Sequence, residues 1–482
     1  MPYLIPLNRS ERAYAALEGL AGSVSQVYEM TFERAVDKTQ LRASVRSLVS
    51  AFPRTRTRLS VGVFRTCLEV LDDSDPLLVP LFDEAYSVVQ GIAANDERLH
   101  EYRNALLAEP FALGRSLPVR FRFADHPTRP TLFMIVHHLV CDGRGMIQMI
   151  DALLGSLAGT PIEPVPIDRP FMRAALWPRG WRGRFEKARI DWRAMQARKE
   201  AARRLTLIDP LAPLPAFTAP RMVRHTLGLP VKPLLAAAKA QNSNLNALVL
   251  AALTLVIARR ARAEDTVDTH EVGVRISVDL RPYFEPARPN AFGNFVASFM
   301  VRSTRFRDAA ALLADVGAQL KEGLRRFKDH ERGLGLLFDE LSTWIGLRLY
   351  AIVARRLKTQ GKLAPMSVHY STVGSVDHFA RHDVGLAEFA GYAPNTGLFV
   401  TSVSFRDQMR MGFIYPAGGM TPDEVRNLAK DLEGAIVELT AAPASTSTAA
   451  APTAAAQELV AVAPAGVSDT APRPAATVAL SA

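Results

Sequence analysis

Six consecutive residues, Thr131 to Val136, are almost wholly apolar, and His137-His138-Leu139-Val140-Cys141-Asp142-Gly143 follows at once. An apolar run of this length reads as a strand buried on both faces. Behind it, Met146, Ile150, Leu153, Leu154 and Leu157 recur at helical spacing. The chain must therefore place two imidazoles, a carboxylate and a glycine where an internal strand gives way to an amphipathic helix. Rigid flanking elements make such junctions favoured mounts for catalytic groups. Successive strand residues point to opposite faces, so His137 and His138 cannot both face one reacting atom. One is the candidate base and the other supports it.

Two other readings of these residues stand beside that one. Paired histidines at a strand end can be hydrogen-bonded core residues, and Asp142-Gly143 alone is a turn signal. His and Asp are also common metal ligands. Against a metal, the adjacent side chains diverge, no H-E-x-x-H or paired C-x-x-C accompanies them, and Cys67 and Cys141 are the two cysteines of the chain.

The pattern H-H-x-x-x-D-G resembles the signature of the chloramphenicol acetyltransferase-like superfamily. That group includes peptide-synthetase condensation domains, wax ester synthases, alcohol acetyltransferases and polyketide-associated acyltransferases. Every fixed position of the pattern is present. The resemblance implies an α/β fold of two similar sandwich subdomains facing each other, with an active-site tunnel between them. An acyl thioester, on coenzyme A or a phosphopantetheinyl carrier protein, would enter from one side and the acceptor from the other, with no other cofactor. It also implies that His138 is the base. A histidine near its reference pKa of about 6.5 is largely neutral at cytoplasmic pH, and its free nitrogen can take a proton from an attacking alcohol or amine. Asp142 would turn away from the substrate and pair with an arginine. Gly143 has no side chain to obstruct the backbone's exit or the substrate's approach. Transfer would be direct, and Cys141, at a position the family leaves variable, is read as core.

Other landmarks are more diffuse. The opening Leu7-Asn8-Arg9-Ser10-Glu11-Arg12 and the later Ala51-Phe52-Pro53-Arg54 are weakly similar to superfamily segments. Asp279-Leu280-Arg281-Pro282 followed by Phe292-Gly293-Asn294-Phe295 resembles the second landmark of the alcohol acetyltransferase and polyketide-associated branches, which makes Arg281 the candidate brace for Asp142; the alternative is a surface arginine before a turn. Tyr370-Ser371-Thr372-Val373-Gly374 resembles the S-N-x-x-G segment near the reaction centre, with Thr372 where asparagine is common. Ser371 could donate to a thioester oxyanion, or be a local hydrogen-bonder at a strand end.

With 482 residues, 48% of them hydrophobic and 22% charged, the chain can bury two cores of ordinary domain size. The expected layout is an N-terminal acyltransferase subdomain over 1–165, a basic connector over 166–210, a C-terminal subdomain over 211–440, and a disordered tail over 441–482. The first subdomain contains a hairpin, with Val119 to Phe123 turning at 126–130 into the histidine-bearing strand. The connector holds most of the formal net charge of +10: Phe171 to Leu205 carries eleven Lys or Arg against three Asp or Glu, together with Trp177, Trp181 and Trp192. Such a segment could lie on an anionic membrane, contact a donor's phosphates, or simply connect two domains. No nucleic-acid motif accompanies the basic excess, so nucleic acid is not an expected partner. The tail holds 17 alanines and, as charges, Glu458, Asp469 and Arg473; no core can be built from it.

Met1 to Pro6 lacks the features of a signal peptide. The apolar run Ala247 to Ala258 falls short of the roughly 18 residues of a spanning helix and reads as a buried one. Two cysteines provide no disulfide framework. These features lead to the expectation of a cytoplasmic enzyme, in peripheral contact with the inner face of the membrane if the basic segment binds there. The function expected is an O-acyltransferase moving an acyl group from a thioester to an apolar or lipid-like hydroxyl. The alternatives are a stand-alone condensation domain forming an amide with an amine acceptor, and a non-catalytic module that binds a carrier protein. The intact motif argues against the last.

Overall fold

The computed structural model describes residues 3–441, apart from 21, 63–65, 93–94, 168–179, 261–269, 285–287, 305, 307, 336, 338–345 and 362–364. The tail beyond 441, and with it Trp177 and Arg179 of the basic segment, lies outside the described residues. Residues 1–446 form one compact unit.

The chain begins with β1 (Tyr3–Pro6), α1 (Arg9–Leu17), β2 (Ser25–Phe32), α2 (Lys38–Ala51), β3 (Thr57–Val61), β4 (Thr66–Val70), α3 (Leu78–Ala85), β5 (Tyr86–Gln90) and α4 (Asp96–Ala108). The hairpin β6 (Val119–Asp125) and β7 (Thr131–His137) leads into α5 (Gly143–Leu157). Next come α6 (Trp181–Arg204), β8 (Thr206–Leu207), β9 (Pro220–Thr226), α7 (Val231–Ala240), α8 (Leu245–Arg260), β10 (His270–Asp279) and β11 (Val296–Ser303). The last stretch holds α9 (Ala309–Lys328), α10 (Leu347–Thr359), β12 (Val368–Ser375), β13 (Leu386–Tyr392), β14 (Phe399–Phe405), β15 (Gln408–Pro416) and α11 (Pro422–Ala441).

Two large sheets carry the fold, as the two-sandwich expectation requires. Among the described residues the first has the order β13-β2-β7-β6-β5 and the second β11-β10-β12-β14-β15-β9, with β8 beside β10. A small sheet, β1-β4-β3, flanks them. Every residue of β7 is buried, which is why its sequence runs apolar without alternation. Its partner β6 buries Val119, Phe121 and Phe123 while Arg120 and Arg122 stay half-exposed, so the hairpin's alternation reports one solvated face.

The sheets are stitched by β13. The chain leaves the second sheet after β12, pairs antiparallel with β2 of the first from Leu386↔Phe32 to Tyr392↔Val27, and returns as β14 parallel to β12. Periodicity alone cannot reveal this, because a strand's sequence reports its faces and not its partner.

In the second core, α8 is buried throughout from Ala247 to Ala258. No single helix among the described residues is long and apolar enough to cross a membrane; α7 and α8 reach the required length only as a pair bent by 89°. The final helix α11 opens with the capping box read in the sequence: Thr421 N–H donates to Glu424 Oε2 at 2.7 Å, and Glu424 N–H to Thr421 Oγ1 at 3.2 Å.

Candidate active site

β7 ends at His137, and His138 opens the turn that leads into α5. The two imidazoles separate as strand geometry requires. His137 is fully buried. Its Nδ1 accepts the Leu139 N–H at 3.0 Å, so the ring proton sits on Nε2 and is donated to Glu18 Oε2 at 3.1 Å. Burial raises the Glu18 carboxyl, but the His137 bond and the N–H groups of Phe111 and Val24 more than offset it and leave its pKa below the ordinary value. His137 is thereby fixed in one tautomer, and it braces the turn.

His138 faces a cavity of about 200 Å³ lined by strands of both large sheets. Tyr14 stacks on its ring at 4.7 Å. Burial pushes its pKa down to about 4; His137 adds to the shift, while Asp142 and the Cys141 backbone oppose it. The ring is neutral at physiological pH and ready to accept a proton.

Asp142 is the N-cap of α5, accepting the Gly145 N–H at 3.0 Å. Arg281 grips it with both arms: Nη1 donates to Oδ2 at 2.9 Å and Nη2 to Oδ1 at 3.0 Å. The Phe295 N–H adds a bond of 2.7 Å to Oδ2. Burial raises the Asp142 carboxyl, but Arg281 and these N–H groups dominate and hold it below the usual carboxylate range. Arg281 also donates to the carbonyls of Ala291 and Gly293, and to Asp279 at 2.8 Å. The guanidinium thus ties α5 to the second half of the chain.

Gly143 meets the other half directly. A Cβ there would lie 3.1 Å from Val373 Cγ1 and 3.3 Å from the Tyr28 hydroxyl. The Tyr370–Gly374 segment therefore abuts the H-H-x-x-x-D-G loop. Ser371 lies in the cavity wall, while Thr372 Oγ1 donates to the Ser402 carbonyl and receives the Gly374 N–H, a local bracing role. Cys141 is fully buried, and burial raises its thiol well above the ordinary range, so it is packed and not poised as a thiolate.

Several supporting residues were only faintly legible in the sequence. Arg54, buried, donates to the carbonyls of Val140 at 2.8 Å and Leu139 at 2.7 Å, and pairs with buried Glu11. Glu11 completes a capping box with Asn8, whose Nδ2 reaches the Asn294 carbonyl at 2.8 Å. Asn294 Nδ2 in turn donates to the His138 carbonyl at 2.8 Å. The opening polar stretch, the Pro53-Arg54 step and the Gly293-Asn294 step thus converge on one loop. Gly145 is needed as much as Gly143: a Cβ on it would lie 2.5 Å from Cys141 Cβ. The polar group of Ser277, His369 and Asn395 in the cavity wall carried no sequence signal. Among the described residues no group of three or more His, Cys, Asp or Glu is placed to hold a metal. A wider cleft of about 760 Å³, lined by Asp96, Arg129, Arg224, Glu388 and Arg426 among others, receives neither histidine of the motif.

Two α/β halves joined across the histidine turn are the arrangement that the resemblance to the chloramphenicol acetyltransferase-like superfamily implies. The chain matches the condensation-domain family over residues 15–346 and belongs to it. Its fold is similar to that of the TRI3 trichothecene 15-O-acetyltransferase from Fusarium sporotrichioides, at 13% identity and a TM-score of 0.65, covering 89% of this chain and 94% of that one. It is also similar to the first condensation domain of the calcium-dependent antibiotic synthetase (16% identity, TM-score 0.65, 92% and 98% covered). The starter condensation domain of rhizomide synthetase RzmA, solved with C8-CoA and Leu-SNAC, matches at 12% identity and a TM-score of 0.61, with 91% and 95% covered. At these identities the likeness establishes the fold. No curated protein matches in sequence.

Proposed function

We propose that the protein is an O-acyltransferase that moves an acyl group from a thioester, carried by coenzyme A or by a carrier protein, to a hydroxyl. The observation that carries this reading is the neutral His138 ring, enclosed by protein yet open to a cavity between the two sheets. His138 Nε2 takes the proton of the acceptor hydroxyl as its oxygen attacks the thioester carbonyl. The tetrahedral centre then collapses, the C–S bond breaks, and the proton passes from the imidazolium to the departing thiolate. Ser371, in the cavity wall, would donate to the oxyanion. His137, Asp142, Arg281 and Arg54 position the turn.

The wall of the cavity supports a hydroxyl acceptor. Asp142 is the only carboxylate among the described lining residues, and it is committed to Arg281 and the Phe295 N–H. An ammonium acceptor would lose its water without gaining a counter-ion, which is costly; a neutral hydroxyl pays no such penalty. The mostly apolar remainder of the wall suits an apolar alcohol. The basic segment supports a peripheral membrane reading of where such an alcohol would be met. On α6, Lys187 and Asp191 bind Glu331 and Arg326, while Trp181 and Phe185 are more than two-thirds exposed, as rings seated among lipid headgroups would need.

The test is a mass-spectrometric screen of acyl-coenzyme A donors against alcohols and amines. Ester products with a panel of apolar alcohols support the reading. Amide products alone would assign the chain to the amide-forming alternative, and no transfer to either acceptor class would refute acyl transfer from coenzyme A.

A further inference from the structure

In the cavity wall, three side chains that the mechanism above leaves unused form a chain of hydrogen bonds. Ser277 stands on β10, His369 on β12, and Asn395 in the connection between β13 and β14. β10 and β12 are parallel, with Arg275 opposite His369. Ser277, two residues on from Arg275, therefore shares its face with His369, and Ser371 shares that face too. All four of Ser277, His369, Ser371 and Asn395 line the cavity. His369 Nε2 is 2.9 Å from Ser277 Oγ, and His369 Nδ1 is 2.6 Å from Asn395 Nδ2. Phe399 stacks on the imidazole at 4.6 Å.

The direction of these bonds can be deduced. Asn395 Oδ1 accepts the Thr396 N–H at 2.7 Å, with the Thr396 hydroxyl at 3.4 Å. Turning the amide over would set its NH₂ against that N–H, so the group facing His369 is the NH₂, and it donates. His369 Nδ1 is then an acceptor and the ring proton is on Nε2, donated to Ser277 Oγ. Burial, with Arg275 nearby, pushes the His369 pKa down to about 3, so the ring holds this one tautomer throughout the physiological range. Serine, imidazole and amide thus have the layout of a nucleophile, base and orienter, with the opposite polarity. The imidazole cannot take the serine proton, and the hydroxyl is left with its own hydrogen to give. Among the described residues no other hydrogen bond engages that hydroxyl.

We infer that Ser277, oriented by His369 and Asn395, is a hydrogen-bond donor that binds a neutral carbonyl oxygen of the acyl-thioester substrate, with His369 as its positioning residue. This deepens the proposed acyl-transfer reading and rests on it. The oxygen is either the thioester carbonyl or an amide carbonyl of the pantetheine arm. Both present the same chemistry to a fixed O–H.

Two measurements on the full chain test the inference. In the first, imidazole ¹⁵N spectra of histidine-labelled protein are compared with those of His369→Phe, which keeps a ring against Phe399. The lost signal should be that of a neutral, Nε2-protonated ring, and an Nδ1-protonated or cationic ring at pH 7 would overturn the relay. In the second, an acyl-coenzyme A and alcohol pair turned over by the wild type is followed in Ser277→Ala, Ser277→Thr and His369→Phe. Ser277→Ala should lower kcat about 100-fold if the oxygen is the thioester carbonyl, or raise KM about tenfold if it is a pantetheine amide. Ser277→Thr should restore most of either loss. His369→Phe should add nothing in the Ser277→Ala background, a non-additivity that a merely structural role does not produce. Unchanged kinetics in Ser277→Ala, or an acyl group found on Ser277 by intact mass, would overturn the inference. If the wild type transfers no acyl group at all, the acyltransferase reading fails, and the ¹⁵N spectrum still decides the relay.

Discussion

Around the histidine turn the polar groups are ionic and mostly buried: Arg281 lies between buried Asp142 and half-exposed Asp279, and Arg54 holds Glu11 and two turn carbonyls. In the part of the wall formed by β10, β12 and the connection between β13 and β14, Ser277, His369 and Asn395 are neutral and half-buried. The difference is one of task. Burying ions costs several kcal/mol each before pairing returns it, so such a cluster suits backbone that must never move. The guanidinium donors of Arg281 and Arg54 hold the carbonyls around the turn and fix where His138 stands. Neutral groups lose less on leaving water and can exchange one partner for another, as a surface that meets substrate must.

Removing one partner on each side should break the symmetry most visibly. Arg281→Gln leaves Asp142 buried without its cation and should cost about 3–5 kcal/mol in denaturant unfolding, whereas Asn395→Ala on the neutral side should cost about 1 kcal/mol. Equal losses would remove the distinction. Pairing Arg281→Gln with Asp142→Asn should be less harmful than the sum of the two, since the second change removes the orphaned charge. Packing behind the turn gives the next effect. Gly145→Ala drives a methyl into Cys141 and should destabilise by about 1–3 kcal/mol, and a neutral result would mean that the turn can shift. Glu18→Gln replaces one acceptor oxygen with a donor facing the His137 Nε2–H or the N–H groups of Phe111 and Val24; a cost of about 1–3 kcal/mol is expected. On α6, Trp181→Ser with Phe185→Ser should change stability by at most about 0.5 kcal/mol, yet lower co-sedimentation with anionic liposomes. Unaltered sedimentation would dismiss these rings as a membrane contact.

The smallest effect is the absence of one. A free histidine titrates near 6.5 and His138 near 4, so its catalytic form persists down to about pH 4 and log kcat/KM should carry no His138 limb between pH 6 and 8. Between pH 6.5 and 4 the unfolded chain binds this proton and the folded one does not. His138 therefore lowers stability as pH falls through that window, and the penalty stops growing below about pH 4. A kcat/KM inflection near 6.5 that vanishes in His138→Ala would contradict the burial argument.

What could be read from the sequence was what is contiguous. One stretch holds β7, the histidines, Asp142 and α5, so the strand, the turn and the helix were all visible, as were the hairpin before them and the buried α8. The Arg281–Asp142 contact spans 139 residues and was reached through a resemblance, since no periodicity links the two positions. The clamp of Arg54 on Glu11 joins positions 43 apart, and the Ser277–His369 contact positions 92 apart. Each lies in a segment whose own pattern reports only a strand or a turn. β13 escaped for a related reason: Leu386 to Tyr392 mixes Glu388 and Gly391 into a strand whose partner belongs to the other half.

The central claim is that His138 is the base, and it is tested most directly by the turnover of His138→Ala on an acyl-coenzyme A and alcohol pair that the wild type uses. The account predicts a fall of about 10²- to 10⁴-fold, with an unchanged melting transition because the neighbouring His137, Asp142 and Arg54 bonds are untouched. A folded His138→Ala protein that turns over within a few-fold of the wild type would contradict it.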